Sequence, residues 1–378
     1  MGIALVNGKI FTGKHWFSDQ AVIINGDKIV AIHAADNLPA DITNIIDLQQ
    51  QRLVPGFIDT QVNGGGSVLF NDAPTVETLR IMGAAHRTFG TTGFYPTLIS
   101  DDFTVVRAAI AAVKQAITEH VPGVLGIHLE GPFLNPERKG VHDASKFKII
   151  DEAAFTLLTS LDVGKTLITI APELTTPHMI MRLVKAGVVV AAGHSAANYT
   201  QTKIALDAGL SSFTHLFNAM TPLTSREPGM VGAALENKNS WCGIIADGFH
   251  VHAASLKVAH QAKVAGKMIL VTDAMPSVGA IDKNFTLNGE LIRCENGRLT
   301  TAEGTLAGSD LTMISAVTNA IKMLEIDLDE AIRMASSYPA AMMGETKLGA
   351  IEVGYTASMV LLDDENRVIR SWIDGAEN

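Results

Sequence analysis

Two cysteines in 378 residues, Cys242 and Cys294, supply neither a disulfide framework nor the paired spacing of a zinc knuckle. A reducing compartment is the simpler expectation. No Lys/Arg cluster interrupts the chain, and 39 acidic against 29 basic residues leave a net charge of -10, so neither nucleic acid nor an anionic membrane is an expected partner. No apolar run approaches the length that spans a bilayer. The opening residues, Met1 to Lys9, lack a basic segment followed by a long apolar stretch, so no secretion signal is read and cytoplasmic residence is expected. Internal repeats and low-complexity segments are absent. Charged residues are scarce, at 18% against 47% hydrophobic, a composition made for a large core and not for disorder. The length admits two or three domains, or one barrel with an appendage.

Both chain ends read as short strands separated by turn dipeptides. Ile3 to Val6, Asn7-Gly8, Lys9 to Phe11, then Ala21 to Ile24, Asn25-Gly26 and Lys28 to Ile32 predict tight hairpins. Ser358 to Leu362 and Val368 to Ile373 flank the polar turn Asp363-Asp364-Glu365-Asn366 in the same way. Residues 1–52 with 346–378 are therefore expected to form one small β-sandwich domain, with the large domain, 53–345, inserted between its halves.

From Leu53 the texture becomes strand, loop, helix. Candidate strands fall at 53–62, 91–98, 123–130, 166–173, 187–194, 211–215, 241–247 and 268–273, with amphipathic helices such as Val76 to Thr88, Phe103 to His120, Thr176 to Ala186 and Ala197 to Ala208 between them. Alternation of this kind specifies parallel pairing through crossovers, and eight such units close into a (β/α)8 TIM-like barrel. After the eighth, Phe285 to Thr301 carries Asn288-Gly289 and Asn296-Gly297 and reads as a hairpin within a loop. Met313 to Leu324 and Leu328 to Ser336 read as further helices.

The chemistry lies where the apolar strands end. Val124 to Ile127 leads to Glu130 before Gly131-Pro132 stops the strand; Val188 to Gly193 leads to His194, Ser212 to Thr214 to His215, and Met268 to Thr272 to Asp273. In a barrel of parallel strands these tips converge on one mouth. Glu130, His194 and His215 are then sound ligands for a divalent metal with a position left open for water, and Asp273 is free to handle that water's proton. At the first strand tip, alternation puts Gln61 and Asn63 on one side.

At that first tip the sequence resembles the amidohydrolase superfamily, whose pattern there is His-x-His where this chain has Gln61-x-Asn63. The change resembles the branch of bacterial-type N-acetylglucosamine-6-phosphate deacetylases, and further motifs match in order across essentially the whole chain: His128-Leu129-Glu130-Gly131-Pro132, Lys139-Gly140-Val141-His142, Gly193-His194-Ser195, Thr214 to Met220, Arg226-Glu227-Pro228-Gly229, Asp247-Gly248-Phe249-His250 and Val271 to Met275. Tyr338-Pro339-Ala340 stands where many relatives carry Asn-Pro-Ala, and Ala357-Ser358 where they carry Ala-Asp; both lie away from the metal motifs.

The resemblance implies a metal-dependent hydrolase of amino-sugar catabolism that turns N-acetyl-D-glucosamine 6-phosphate into D-glucosamine 6-phosphate and acetate. It implies one divalent metal on Glu130, His194 and His215, zinc first and iron, cobalt, nickel or manganese as alternatives, with Gln61 and Asn63 reaching it through water. Asp273 matches the general base and acid, and His142 a residue at the acetamido group. Arg226, His250 and the Asn218-Ala219 turn match the phosphate side, part of which a neighbouring subunit can supply, so a homodimer or dimer of dimers is expected. Arg226 also suits phosphate by its own chemistry, as a fixed fork of donors. The rival readings are N-acetylgalactosamine 6-phosphate or a cyclic amide as substrate, and a non-catalytic barrel serving as a binding module. His128 reads as packed beneath the ligands, His252 as incidental, Asp247-Gly248 as a possible plain turn, and Met275 and Met313 as cavity wall or core.

Overall fold

Short apolar runs that are covered on both faces become parallel strands. The computed structural model describes residues 2–40 and 42–377, and in it eight of these runs form β1 (Phe57–Val62), β2 (Thr91–Ile99), β3 (Gly126–Glu130), β4 (Lys165–Ile170), β5 (Val189–Ala192), β6 (Ser212–Phe213), β7 (Trp241–Ile244) and β8 (Met268–Leu270). Each pairs in parallel with the next in chain order. The seam between last and first is closed just beyond β8: Val62 bridges Ala274, Asp273 N–H donates to Gln61 O at 2.9 Å, and Asn63 and Gly64 N–H donate to Ala274 O at 2.9 and 3.0 Å. The expected TIM-like barrel is present, with all eight candidate strands within a few residues of their sequence positions.

One side chain reinforces the seam. Asp59, inside β1 and fully buried, accepts Thr272 Oγ1–H at 2.5 Å, Thr272 N–H at 3.3 Å and Gln61 N–H at 3.2 Å. Loss of solvation outweighs these donors and raises Asp59 to about 7.

Several outer helices start on side-chain caps, which satisfy N–H groups that have no partner in the first turn. Thr75 caps Val76–Arg87, Thr176 caps Pro177–Lys185, and Asn198 with Gln201 forms a reciprocal box at Tyr199–Asp207. Phe103–Thr118 buries Val106, Ala109, Ile110, Val113 and Ala116, one stripe at helical spacing. Among the described residues, no helix is long and apolar enough to cross a membrane.

The chain ends meet in two further sheets. One orders Lys28–Ala34, Gln20–Asn25, Ile3–Val6 and Asn44–Asp47; the other orders Ala376–Glu377, Val368–Ile373, Met359–Leu362, Arg52–Pro55, Lys9–Phe11 and Trp16–Phe17. Leu5, Ile10, Val22, Leu48, Leu53, Met359 and Trp372 share one core there. Asn25-Gly26 lies at a tight hairpin, with Asn25 paired to Lys28. Asn7-Gly8 does not make the expected one: Asn7, at φ 58°, sends the chain from one sheet to the other, which lets Leu5 and Ile10 both reach the shared core.

The loop after β8 builds a three-stranded antiparallel sheet, Phe285–Leu287, Glu290–Glu295 and Arg298–Thr300, two hairpins where the sequence reading gave one. Both turns are Asn-Gly with positive φ at each residue, 51° and 81° then 53° and 83°, the geometry that such hairpins require. Leu287, Ile292 and Leu299 pack on Leu69, Ile99, Met275 and Ala307 at the barrel mouth.

Candidate metal centre and active site

Glu130, His194 and His215 come together at the mouth, all buried. Glu130 Oε1 lies 3.1 Å from His194 Nε2 and 3.0 Å from His215 Nε2, and the two nitrogens are 3.1 Å apart. His194 Nδ1 lies 2.8 Å from the Arg138 carbonyl. A hydrogen on Nδ1 satisfies that oxygen and leaves the Nε2 lone pair aimed at Glu130 and His215. Three lone pairs converge on one point, which calls for a cation. Tetrahedral donors about 2.0 Å from a metal lie about 3.3 Å apart, close to the separations seen. The donor set therefore fits one divalent ion. Burial opposes ionisation of Glu130, yet the two imidazoles outweigh it and hold the carboxyl well below its usual range. His215 is raised: burial works against its charge, and the bond and charge of Glu130 overcome this.

The backbone at these positions is unusual. His194, His215 and Asp273 have φ of 49°, 33° and 54°, a left-handed region costly for residues with a Cβ, on the order of 1–3 kcal/mol each. Such strain gathers where the chain must aim side chains out of a strand end, and no local sequence signal announces it.

Asp273 borders the same cavity, of about 220 Å³, as Glu130, His194, His215, Asn63, His142, Asn218, Ala219 and His250. Burial, with the charge of Glu130 second, raises Asp273 to about 6. Asn63 Nδ2–H donates to Asp273 Oδ1 at 2.7 Å, and Gln61 Nε2–H spans Asp273 Oδ1 at 3.2 Å and Glu130 Oε2 at 3.1 Å. The two amides thus grip the carboxylates directly. His142 is fixed through Nδ1, which accepts Ser100 N–H at 3.3 Å and lies 2.9 Å from Ser100 Oγ. Burial, with His194 next in size, pushes His142 down to about 3, so its Nε2 carries hydrogen as a neutral donor.

His250 is held by Asp247, whose Oδ2 lies 2.6 Å from His250 Nδ1 and whose Oδ1 accepts Phe249 and His250 N–H at 2.8 and 2.9 Å. Asp247-Gly248 is thus more than a plain turn. Arg226 is the one sequence candidate not brought in: it is exposed on the loop before Gly229 and does not border the cavity. His128 lies among Thr97 and Thr169, 3.1 and 2.8 Å from their hydroxyls, and is lowered to about 4 chiefly by burial. His252 caps the helix Ala253–Ala262. The sequence reading missed Ser100 behind His142, Asp59 at the seam, and Ile99, Leu306 and Gly308 on the cavity wall; serine, aspartate and aliphatics are too common for their types to mark them.

Comparison with known proteins agrees with this fold. A profile of the Amidohydrolase family matches residues 52–377, and one of the NagA composite domain matches residues 3–53. An N-acetylgalactosamine-6-phosphate deacetylase of Shewanella sp. (strain ANA-3) is 48% identical over 324 residues, covering 85% of this chain and 82% of that protein. The N-acetylglucosamine-6-phosphate deacetylase of Haemophilus influenzae is 38% identical over 379 residues, 99% of each chain. The crystal structure of the N-acetylglucosamine-6-phosphate deacetylase from Pasteurella multocida superposes with a TM-score of 0.96 at 36% identity over 100% of both chains. The chain belongs to the amidohydrolase family and, within it, to the deacetylases of N-acetylated amino-sugar 6-phosphates.

Proposed function

We propose that this chain hydrolyses the acetamide of N-acetyl-D-glucosamine 6-phosphate, giving D-glucosamine 6-phosphate and acetate. The observation that carries it is the convergence of Glu130 Oε1, His194 Nε2 and His215 Nε2 beside Asp273 in one cavity. These three side chains hold one divalent ion, zinc first, with iron, cobalt, nickel or manganese as alternatives that metal availability decides. When bound, such an ion polarises an amide carbonyl and acidifies water. Asp273 takes the proton of the attacking water and returns it to the departing nitrogen, since an amide leaves only as the neutral amine. Gln61 and Asn63 keep the acceptor oxygens of Asp273 and Glu130 in place. His142 donates from Nε2 toward the acetamido group. Asn218, the backbone at Ala219 and His250 form the phosphate side, and Arg226 completes it from a second copy of the chain. The small domain, read as 1–52 with 346–378, takes in the strand Arg52–Pro55 as well and frames the catalytic unit that begins with β1.

The 48% identity to an N-acetylgalactosamine-6-phosphate deacetylase favours that epimer as a second reading. Acetate release from both sugar phosphates and from unphosphorylated N-acetylglucosamine, with metal content measured on the same sample, tests both. Turnover of the glucosamine form with about one metal per chain supports the proposal; a galactosamine preference replaces it with the second reading. Equal turnover of free sugar removes the phosphate side.

A further inference from the structure

The cavity has an apolar side that the reaction as described leaves unused. Ile99, Val141 and Met275, which pack in one apolar cluster, border it together with Leu306. On the proposed reading, the reacting carbonyl lies between the Glu130, His194, His215 cluster and Asp273. One arm of that carbon carries the nitrogen and the sugar, whose hydroxyl and phosphate groups need polar partners. The other arm is a methyl group, which gains only from apolar surface.

Met275 stands two residues beyond Asp273 and is 2% exposed. Its segment is held in place: Met275 N–H donates to Ser309 O at 3.0 Å, and Ser309 N–H donates to Asp273 O at 2.9 Å. The thioether lies across Gly308, where a Cβ would come within 2.4 Å of Met275 Cγ and 2.9 Å of Asp273 O. Gly308 therefore leaves the slot that this side chain fills. Behind Met275 pack Leu287, Ile292 and Leu299 of the three-stranded sheet, and Ile99 joins the same cluster. Met275 shares one buried cluster with these residues, so displacing it to admit a longer group disturbs packed neighbours.

We propose that Met275, backed by the three-stranded sheet and continued by Ile99, seats the acyl methyl group and sets the length of N-acyl chain that the site accepts. The inference rests on the deacylation reading above. Each methylene beyond acetyl meets this wall and lowers kcat/KM about tenfold or more.

The test compares kcat/KM for N-acetyl, N-propionyl and N-butyryl glucosamine 6-phosphate in the wild-type holoenzyme, in Met275→Ala and in the milder Ile99→Val, with metal content measured on each. The expected result is a wild-type preference for acetyl of about tenfold over propionyl, a propionyl-to-acetyl ratio about tenfold higher in Met275→Ala, and a severalfold rise in Ile99→Val. Should Met275→Ala not fold, Ile99→Val decides. An unchanged ratio in the folded variants, with KM raised equally for all three substrates, assigns the wall to the sugar ring and overturns the inference. Wild-type turnover of butyryl equal to acetyl overturns it too. Absence of release from all three substrates and from N-acetylgalactosamine 6-phosphate overturns the deacylation reading itself, an outcome distinct from either.

Discussion

Asn63 Nδ2 and Asp273 Oδ1 meet at 2.7 Å across the seam that closes the barrel, joining residues at opposite ends of the eight-strand series. The same oxygen also receives Gln61 Nε2, so one side of the carboxylate is committed and the other faces the cavity. Asn63→Ala should lower kcat on the order of 10–100-fold with metal content unchanged, and Asp273→Asn should lower it on the order of 10²–10⁴-fold, again with metal retained. Kinetics and metal analysis on the same preparations check both. Loss of metal in step with activity in Asn63→Ala would mean that Asn63 serves the ion and not Asp273.

Removing a ligand should separate folding from loading. Glu130→Gln and His215→Ala each break the converging triangle and are expected to carry little metal and little activity. For an ion held at a hundredfold its Kd, loading stabilises the wild type by about 2.7 kcal/mol. Chelation should therefore lower the wild-type melting temperature and leave that of Glu130→Gln in place. Equal shifts in both proteins would remove Glu130 from the ligand set.

Asp59 should make the fold less stable as pH rises. Its folded value, about 7, lies above the ordinary 3.8; the folded state binds the extra proton between these values, so stability present near pH 4 is lost as pH climbs to 7. Across pH 5.5 to 8 the loss amounts to about 2 kcal/mol. Asp59→Asn should flatten that dependence, because the amide oxygen still accepts the two N–H groups while Thr272 Oγ1–H turns to Gln61 O, 3.3 Å away. Denaturant unfolding of both proteins at the two pH values measures the difference. Parallel curves would show that another group governs the slope.

Arg226 should act between copies of the chain. Arg226→Ala is expected to raise KM for the phosphorylated sugar on the order of 10–100-fold, as loss of a charged bond to phosphate implies, with little change for the free sugar. Mixing Arg226→Ala with Asp273→Asn supplies the arginine from one subunit and the acid from the other. Recovery of low-KM turnover on mixing is the expected outcome; no recovery would place Arg226 within its own subunit's site.

Much of this was legible in the sequence because the governing signals are local. A buried parallel strand is a short apolar run, a helix start is a Thr or Asn with its first turn, and a strand tip is where a run gives way to glycine and proline. Those signals located β1 to β8 and, by what stands at their ends, Glu130, His194, His215 and Asp273. They failed at Asn7-Gly8, where the usual hairpin dipeptide turns a corner between two sheets, because which strand a neighbour pairs with is settled by the shared core around Leu48 and not by the turn. The resemblance, and not these signals, grouped Arg226 with the phosphate side, and within one chain Arg226 does not border the cavity.

The sequence by itself determined the alternation of strand and helix, the split of the small domain between the chain ends, and the residue types at the barrel mouth, since each depends on periodicity and on neighbours along the chain. Only the tertiary structure decided that Gln61 and Asn63 grip carboxylates, that Asp59 is buried against Thr272, that His194, His215 and Asp273 take left-handed backbone, and that Gly308 makes room for Met275. The contacts of Asp59, Gln61 and Asn63 with Thr272 and Asp273 form when β1 meets the segment after β8, between groups more than two hundred residues apart. Their energy comes from desolvation and close approach, which exist only once the barrel is shut.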